Sequence, residues 1–94
     1  MRGMMMSKMK TRQEQDEQAL MTQHIDANWG RADARLKRVG VAVWSLIGYL
    51  RAFDGDLEQT RDAFALSAEE LDAALTYYRH NKKYIDARLL VNSA

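Results

Sequence analysis

Cysteine and proline are both absent from this sequence of 94 residues. Without cysteine, disulfide bonds and thiolate metal sites are excluded. The absence of proline suits a mostly helical chain, because proline disrupts the interior of a helix. The longest apolar run, from Val39 to Leu50, contains two glycines and a serine and is too short to span a bilayer. No secretory signal follows the basic start, so we expect a cytoplasmic protein with no membrane contact.

Residues that usually build catalytic or metal sites are scarce. The two histidines, His24 and His80, lie far apart in the sequence, and neither has a carboxylate at a ligand spacing. Neighbouring carboxylates such as Glu69 and Glu70 stand at predicted helix starts, where the helix dipole favours a negative charge. No glycine-rich loop that could hold a phosphate is present. We therefore predict no enzymatic activity, with no catalytic residues, no metal ligands and no cofactor.

The formal net charge of +1 conceals an uneven distribution of charge along the chain. Residues 1–40 carry 8 basic and 5 acidic side chains, and residues 41–78 carry 2 basic and 7 acidic ones. Residues 79–94 carry 4 basic side chains and 1 acidic one. The centre is therefore acidic and both flanks are basic, so that a polyanion should prefer the flanks.

The most apolar stretch, from Arg35 to Leu50, changes its period along its length. Its first half alternates apolar and polar residues, as a strand does. Its second half repeats apolar residues at the three-and-four spacing of a helix. The sequence therefore predicts a turn at Gly40, an edge strand from Arg35 to Val43 and, after it, the first core helix.

Helices are predicted on both sides of this stretch. Thr11 to Ala27 carries a narrow one-sided apolar stripe, and the segment Asn28-Trp29-Gly30 is expected to end that helix. A short helix from Leu57 to Phe64, with Asp56 as its N-cap, is expected to bury Leu57 and Phe64, with Thr60 as a third candidate.

A third helix is predicted after Ser67, because Ser67 and Glu70 form a capping-box pattern. A break is expected near Asn81. Two helices joined by a short turn after a hydrophobic helix are typical of a helix-turn-helix. We predict a mainly α fold: a helix-turn-helix-like domain over residues 31–94, with a short β-strand or hairpin before the first core helix, and an N-terminal tail and amphipathic helix over residues 1–30. The expected core comprises Trp44, Leu46, Ile47, Leu50, Leu71, Leu75 and Tyr78.

Several motifs from Ala32 to Ala94 resemble those of domain-of-unknown-function family 433, whose members are small bacterial proteins similar to VapB-type antitoxins. The family usually has proline where this chain has Ala42. The matching motifs are Ala32-Asp33-Ala34-Arg35-Leu36, Gly40 to Arg51, Leu66-Ser67-Ala68-Glu69-Glu70, Ala73 to Tyr78 and Ile85-Asp86-Ala87-Arg88.

The resemblance implies a function and a partner. It implies an antitoxin of a type II toxin–antitoxin pair, which binds and neutralises a PIN-type ribonuclease toxin and in some cases represses its own operon. A DNA-binding transcriptional regulator without a toxin is the alternative, and the neighbouring gene would distinguish the two. The family supplies no established catalytic residues.

Operator DNA would have to be bound away from the usual reading helix. That helix would present residues 67–72, and it carries Glu69, Glu70 and Asp72, which phosphates repel. We predict instead that DNA contacts come from the basic stretch before the first core helix, helped by Lys8, Lys10 and Arg12. These DNA-binding residues are Arg31, Arg35, Lys37 and Arg38. The other interpretation is that these charges keep an edge strand soluble.

The C-terminal segment is the predicted site of toxin binding. PIN-type nucleases hold metal with acidic residues, so a basic segment could occupy that site. The residues concerned are Arg79, Lys82, Lys83 and Arg88. A solvated basic helix end is the other interpretation. We also predict a homodimer, because the narrow first stripe and the edge strand leave apolar surface and backbone groups uncovered.

Overall fold

The computed structural model of the protein describes residues 11–92. Its mainly helical architecture, with a small antiparallel hairpin before the first core helix, confirms the predicted fold class. Residues 1–10, with Lys8 and Lys10, lie outside the described part. The elements in chain order are α1 (Arg12–His24), β1 (Ile25–Asp26), a 3-10 turn (Arg31–Asp33), β2 (Arg35–Leu36), α2 (Val43–Ala52), α3 (Leu57–Ala63), α4 (Ala68–His80) and α5 (Lys82–Asn92).

Side-chain caps fix where three of the helices begin. The Thr11 hydroxyl accepts a hydrogen bond from the Glu14 backbone N–H, and Glu14 Oε1 accepts one from the Thr11 N–H. Ser67 and Glu70 form the same reciprocal pair at α4, as predicted. Asp56 caps α3 by accepting from the Gln59 N–H at 3.0 Å. Each cap satisfies backbone donors that a helix start leaves unpaired.

The predicted edge strand from Arg35 to Val43 is wrong in its extent. Strand β2 ends at Leu36, where it pairs with Ile25 of β1, and the chain then turns back on itself. The Leu36 backbone donates to the Val41 carbonyl and accepts from the Gly40 N–H, both at 2.8 Å. Gly40 has φ +69, which glycine adopts without strain. Val39 and Val41 therefore lie in a tight turn instead of on one face of a strand, and Val43 begins α2.

Helix α1 is shorter than predicted. Its last residue is His24, because Ile25 already has extended φ and ψ and pairs with β2. Gly30 does not end this helix; at φ +99 it precedes the 3-10 turn. The paired strands lie on opposite sides of the predicted boundary at residues 30 and 31. On α1, Leu20 and Met21 pack against the core, and the helix lies along α4.

The core differs in part from the predicted one. Leu46, Ile47 and Leu71 are buried, whereas Trp44, Leu75 and Tyr78 are half-buried against the core, and Leu50 is half-exposed outside it. Leu57 was expected to be buried but is 47% exposed, and the buried residue of α3 is Thr60. The buried hydrophobic residues that the expected core did not include are Ile25, Ala34, Leu36, Val43, Leu66, Ala73, Ala74, Tyr77 and Ile85.

The predicted break between the last two helices is confirmed at Asn81. This residue leaves the helical conformation, with φ −133 and ψ 28, and its side-chain amide donates to the Tyr77 carbonyl at 3.0 Å. Helix α5 can therefore fold back so that Ile85 is fully buried and Leu89 packs on the core. None of the helices in residues 11–92 is long and apolar enough to cross a membrane.

Candidate functional site

The residues predicted to bind DNA do not share one environment. Arg31, Arg35 and Lys37 are exposed, and none of them has an ion-pair partner among residues 11–92. The Arg31 guanidinium lies over the Tyr84 ring, 5.1 Å from its centroid. Lys37 Nζ donates to the Thr22 carbonyl at 2.7 Å, which leaves its charge uncancelled. These three residues form the hairpin cations.

Arg38 is instead bound to a buried carboxylate. Its guanidinium donates to both Glu70 oxygens, at 2.8 and 2.7 Å, and to the Ala65 carbonyl at 2.6 Å. Glu70 is 3% exposed, and the hydrogen bonds from Arg38 lower its pKa to about 2 despite its burial. A phosphate would have to compete with Glu70 for Arg38. The pair also removes Glu70 from the surface, so that Glu69 and Asp72 are the exposed carboxylates at the start of α4.

Three of the four residues predicted to bind a toxin are ion-paired within the chain. Arg79 donates to Glu17 at 2.9 Å, Lys82 to Asp86 at 2.7 Å and Arg88 to Asp33 at 3.0 Å. The first and third pairs tie α4 to α1 and α5 to the 3-10 turn. Lys83 is exposed and, within the described residues, has no carboxylate partner. The segment is therefore not a continuous free basic surface.

Asp86 is the centre of a network that joins α2, α4 and α5. Its Oδ1 accepts from Arg51 and from the Tyr78 hydroxyl, and its Oδ2 accepts from Lys82, all at 2.7 Å. These hydrogen bonds, that from Lys82 above all, lower the Asp86 pKa to about 2. Arg51 also donates to the Tyr78 hydroxyl at 2.6 Å. The i,i+4 spacing of Lys82 and Asp86 was the one signal of this network visible in the sequence.

A groove with a volume of about 750 Å³ lies between α1, the hairpin and the end of α4. Basic residues (Arg31 and Lys37) and acidic ones (Glu14 and Asp26) line it, above apolar side chains such as Met21. Its residues come from four separate segments, so no motif in the sequence predicted it.

Each of the two histidines lies near one carboxylate. His80 Nε2 lies 2.9 Å from Glu17 Oε1, and this contact is the main cause of the lowered Glu17 pKa. His24 Nε2 lies 3.8 Å from Glu69 Oε2, which is too long for a hydrogen bond. The buried His24 Nε2 atom has no hydrogen-bond partner in the described part of the chain. Over residues 11–92, no three or more His, Cys, Asp or Glu residues are grouped to hold a metal ion.

Two sets of exposed apolar side chains stand out. Leu90 and Val91, at the end of α5, are 73% and 67% exposed. Trp29, in the loop between the strands, is 68% exposed, and Tyr84 of α5 is 42% exposed. None of these four was predicted as a site residue, because a single exposed apolar residue cannot be distinguished from a core residue by its type.

No family model, curated protein or solved structure matches this chain. The resemblance to family 433 therefore rests on the motifs quoted above. Those motifs include the turn and helix α2, the capped start of α4, and the part of α5 that carries Asp86 and Arg88.

Proposed function

We propose that this chain is an antitoxin that binds and neutralises a PIN-type ribonuclease toxin in the cytoplasm. The observation that carries the proposal is the apolar end of α5. Ile85 is buried in the core and Leu89 packs against it, whereas Leu90 and Val91 are exposed on the same helix. Exposed apolar side chains at a helix end suit insertion into the groove of a protein partner.

Charge would guide this encounter. Lys83 lies on the same helix as Leu90 and Val91, and within residues 11–92 no carboxylate pairs with it. Arg79, Lys82 and Arg88 are bound to carboxylates of the chain and would contribute less to attraction. We assign binding energy to Leu90 and Val91 and electrostatic attraction to Lys83, because charges at an interface mainly affect association rate and specificity.

Co-expression with the reading frame beside the gene tests the proposal. We expect the two proteins to co-purify and the ribonuclease to be inhibited in the complex. The double variant Leu90→Ser, Val91→Ser should release the toxin, and Leu57→Ser, an exposed leucine of α3, should retain it. Deleting α5 is a poor substitute, because it removes the buried Ile85. Full inhibition by the double variant would contradict the proposal.

A DNA-binding regulator is the second candidate, and the hairpin cations favour it. Arg31, Arg35 and Lys37 are exposed positive charges on one short segment, as phosphate contacts require. The double variant Arg35→Glu, Lys37→Glu should abolish binding to the DNA upstream of the gene. The control, Glu69→Lys with Asp72→Lys, changes exposed carboxylates of α4 and should leave binding intact or strengthen it. The opposite result would place α4 on the DNA.

A homodimer is proposed for either function. The two features that suggested it are accounted for within one chain, since α1 packs on α4 and β2 pairs with β1. The remaining support is exposed apolar surface away from α5, such as Phe53, which is 41% exposed. Light scattering at tens of micromolar should give twice the chain mass; a monomer mass would contradict the dimer.

A further inference from the structure

We propose that the loop between the two strands, with the start of α5, binds a single-stranded nucleic acid. The surface concerned, the aromatic–cationic face, comprises Trp29, Arg31, Lys37 and Tyr84. Bases would stack on the aromatic rings and the basic side chains would hold phosphates, which is how single strands are bound without strict sequence preference. This inference goes beyond the proposed toxin partner, and the aromatic–cationic face does not include Leu90 or Val91.

Trp29 is held in solvent by an ordered turn. The Gly30 N–H donates to the Ala27 carbonyl at 3.1 Å, and the Asn28 N–H donates to Asp26 Oδ1 at 2.9 Å. Gly30 has φ +99, a conformation that side-chain-bearing residues rarely adopt. The turn therefore presents a large apolar ring, 68% exposed, that the fold does not bury. A base could stack on it without any rearrangement of the core.

Arg31 and Tyr84 form the second part of the face. The Arg31 guanidinium lies 5.1 Å from the Tyr84 centroid, and Tyr84 is itself partly exposed. Stacking on a ring leaves the guanidinium donors directed away from the ring and able to reach a phosphate. Because Trp29 is two residues from Arg31, their Cα atoms lie within about 7 Å of each other.

The groove extends the face toward Lys37. Arg31, Lys37 and Asn28 all line it. Neither cation has an ion-pair partner among residues 11–92, in contrast to the paired Arg38. The acidic Asp26 and Glu14 also line the groove, so the phosphates would contact Arg31 and Lys37 and avoid these two carboxylates.

A single strand fits these features better than a duplex does. Strands of two residues are too short to enter the major groove as a ribbon, and the start of α4 exposes Glu69 and Asp72. The bases of a duplex are already stacked and cannot reach Trp29. Unpaired bases can, and stacking of bases on aromatic side chains is the usual mode of contact with single strands.

The experiment uses the chain's own fluorescence. Its two tryptophans are Trp29 and Trp44, and the latter is half-buried beneath the Arg88 guanidinium. The variant Trp44→Phe therefore reports from Trp29 alone. We would titrate it with a mixed-sequence RNA of about 15 nucleotides, the same sequence as single-stranded DNA, and the DNA duplex. Single strands should quench Trp29, and the duplex should bind at least about tenfold more weakly.

Variants then separate stacking from charge. Variants at Trp29 lack the reporting ring, so their affinity is measured by the fluorescence anisotropy of a labelled strand. Trp29→Ala should weaken single-strand binding by about 5- to 150-fold, whereas Trp29→Phe should keep most of it. Arg31→Ala should weaken binding and lower its salt slope by about one, whereas Arg61→Ala, the same charge loss on α3, should do neither. A difference in affinity between the RNA and the single-stranded DNA would show that the 2′-hydroxyl contributes to binding.

Three results would overturn the inference: equal binding of strand and duplex, unchanged affinity in Trp29→Ala, or no binding of either strand at low salt. Duplex binding that depends on Arg35 and Lys37 but not on Trp29 would instead support the regulator candidate. Toxin co-purification by Trp29→Ala is expected in every case, which keeps the two proposals separable.

Discussion

The basic side chains of the hairpin and those of the helices differ in what faces them. Arg31, Arg35 and Lys37 face no carboxylate of residues 11–92 at ion-pair distance. Four of the cations on the helices are each bound to a carboxylate, mostly one from another element. These helical cations are Arg51, Arg79, Lys82 and Arg88.

The difference separates cations that hold the fold from cations that are available to a ligand. A paired cation has its charge cancelled nearby and adds little to the field that attracts a polyanion. Arg38 makes the point within the hairpin itself. It follows Lys37 directly, yet it belongs with the paired cations because the turn directs it to Glu70. Position in a basic segment therefore does not establish a binding role.

The largest loss of stability should come from reversing the charge of the buried residue in an ion pair. Glu70→Lys places a cation against Arg38 and removes the α4 capping box, so unfolding should become easier by on the order of 3 kcal/mol. Its neighbour Glu69→Lys makes the same charge change at an exposed position and should stay within about 0.5 kcal/mol of the parent. Urea unfolding followed by circular dichroism measures both. Equal midpoints for the two variants would mean that the Arg38 pair does not stabilise the fold.

The second-largest effect is a fall in the stability of the fold at low pH. The pKa values of Glu70 and Asp86 are both about 2, against ordinary values of 4.5 and 3.8. Because the folded-state values are depressed, their contribution is complete above the ordinary values and is lost as pH falls from about 5 toward 2. The melting temperature should fall over that range.

Replacing Asp86 by Asn should flatten this fall and cost on the order of 1–2 kcal/mol at pH 7. The figure is kept low because about a third of the side chain is exposed and solvent screens the pair. Thermal melts of parent and variant from pH 2 to pH 7 provide the test. An unchanged pH profile in Asp86→Asn would contradict the assignment of the network.

A smaller effect is expected at an exposed pair. Arg88→Gln removes the contact with Asp33 and the cation over the Trp44 ring. Both charged groups are partly solvated, so the loss should be about 0.2–1 kcal/mol. Tm by differential scanning calorimetry measures it. A loss of stability as large as that of Glu70→Lys would show that the exposed Arg88–Asp33 pair and the buried Arg38–Glu70 pair do not differ in the way their burial implies.

The smallest effect on stability should come from Arg35→Ala, because this side chain is exposed and has no hydrogen bond or ion pair in the described residues. Stability should change by less than about 0.5 kcal/mol. If the hairpin cations contact phosphates, the same variant should lower the slope of log affinity against log salt by about one. A fluorescence-anisotropy titration at several salt concentrations decides this. An unchanged slope would remove Arg35 from the contact surface.

Local patterns were sufficient to predict where the helices begin. Capping residues such as Ser67 and Asp56, and the three-and-four spacing from Val43 onward, act within a few residues of each other and can be recognised in one sequence. The hairpin was predicted less well. Leu36 pairs with Ile25, eleven positions earlier, and the Val39 and Val41 alternation is equally compatible with a strand and with the observed turn.

The binding surfaces depended most on tertiary structure. The sequence determined the composition: two basic flanks, an acidic centre, capped helices and no cysteine. The fold decided which charges remain free, because Arg38 meets Glu70 and Arg88 meets Asp33 across 32 and 55 residues. It also decided that Trp29 and Leu90 are exposed while Tyr77 and Ile85 are buried. Residue type fixes what a side chain can bind, but only packing determines whether its partner is already part of the same chain.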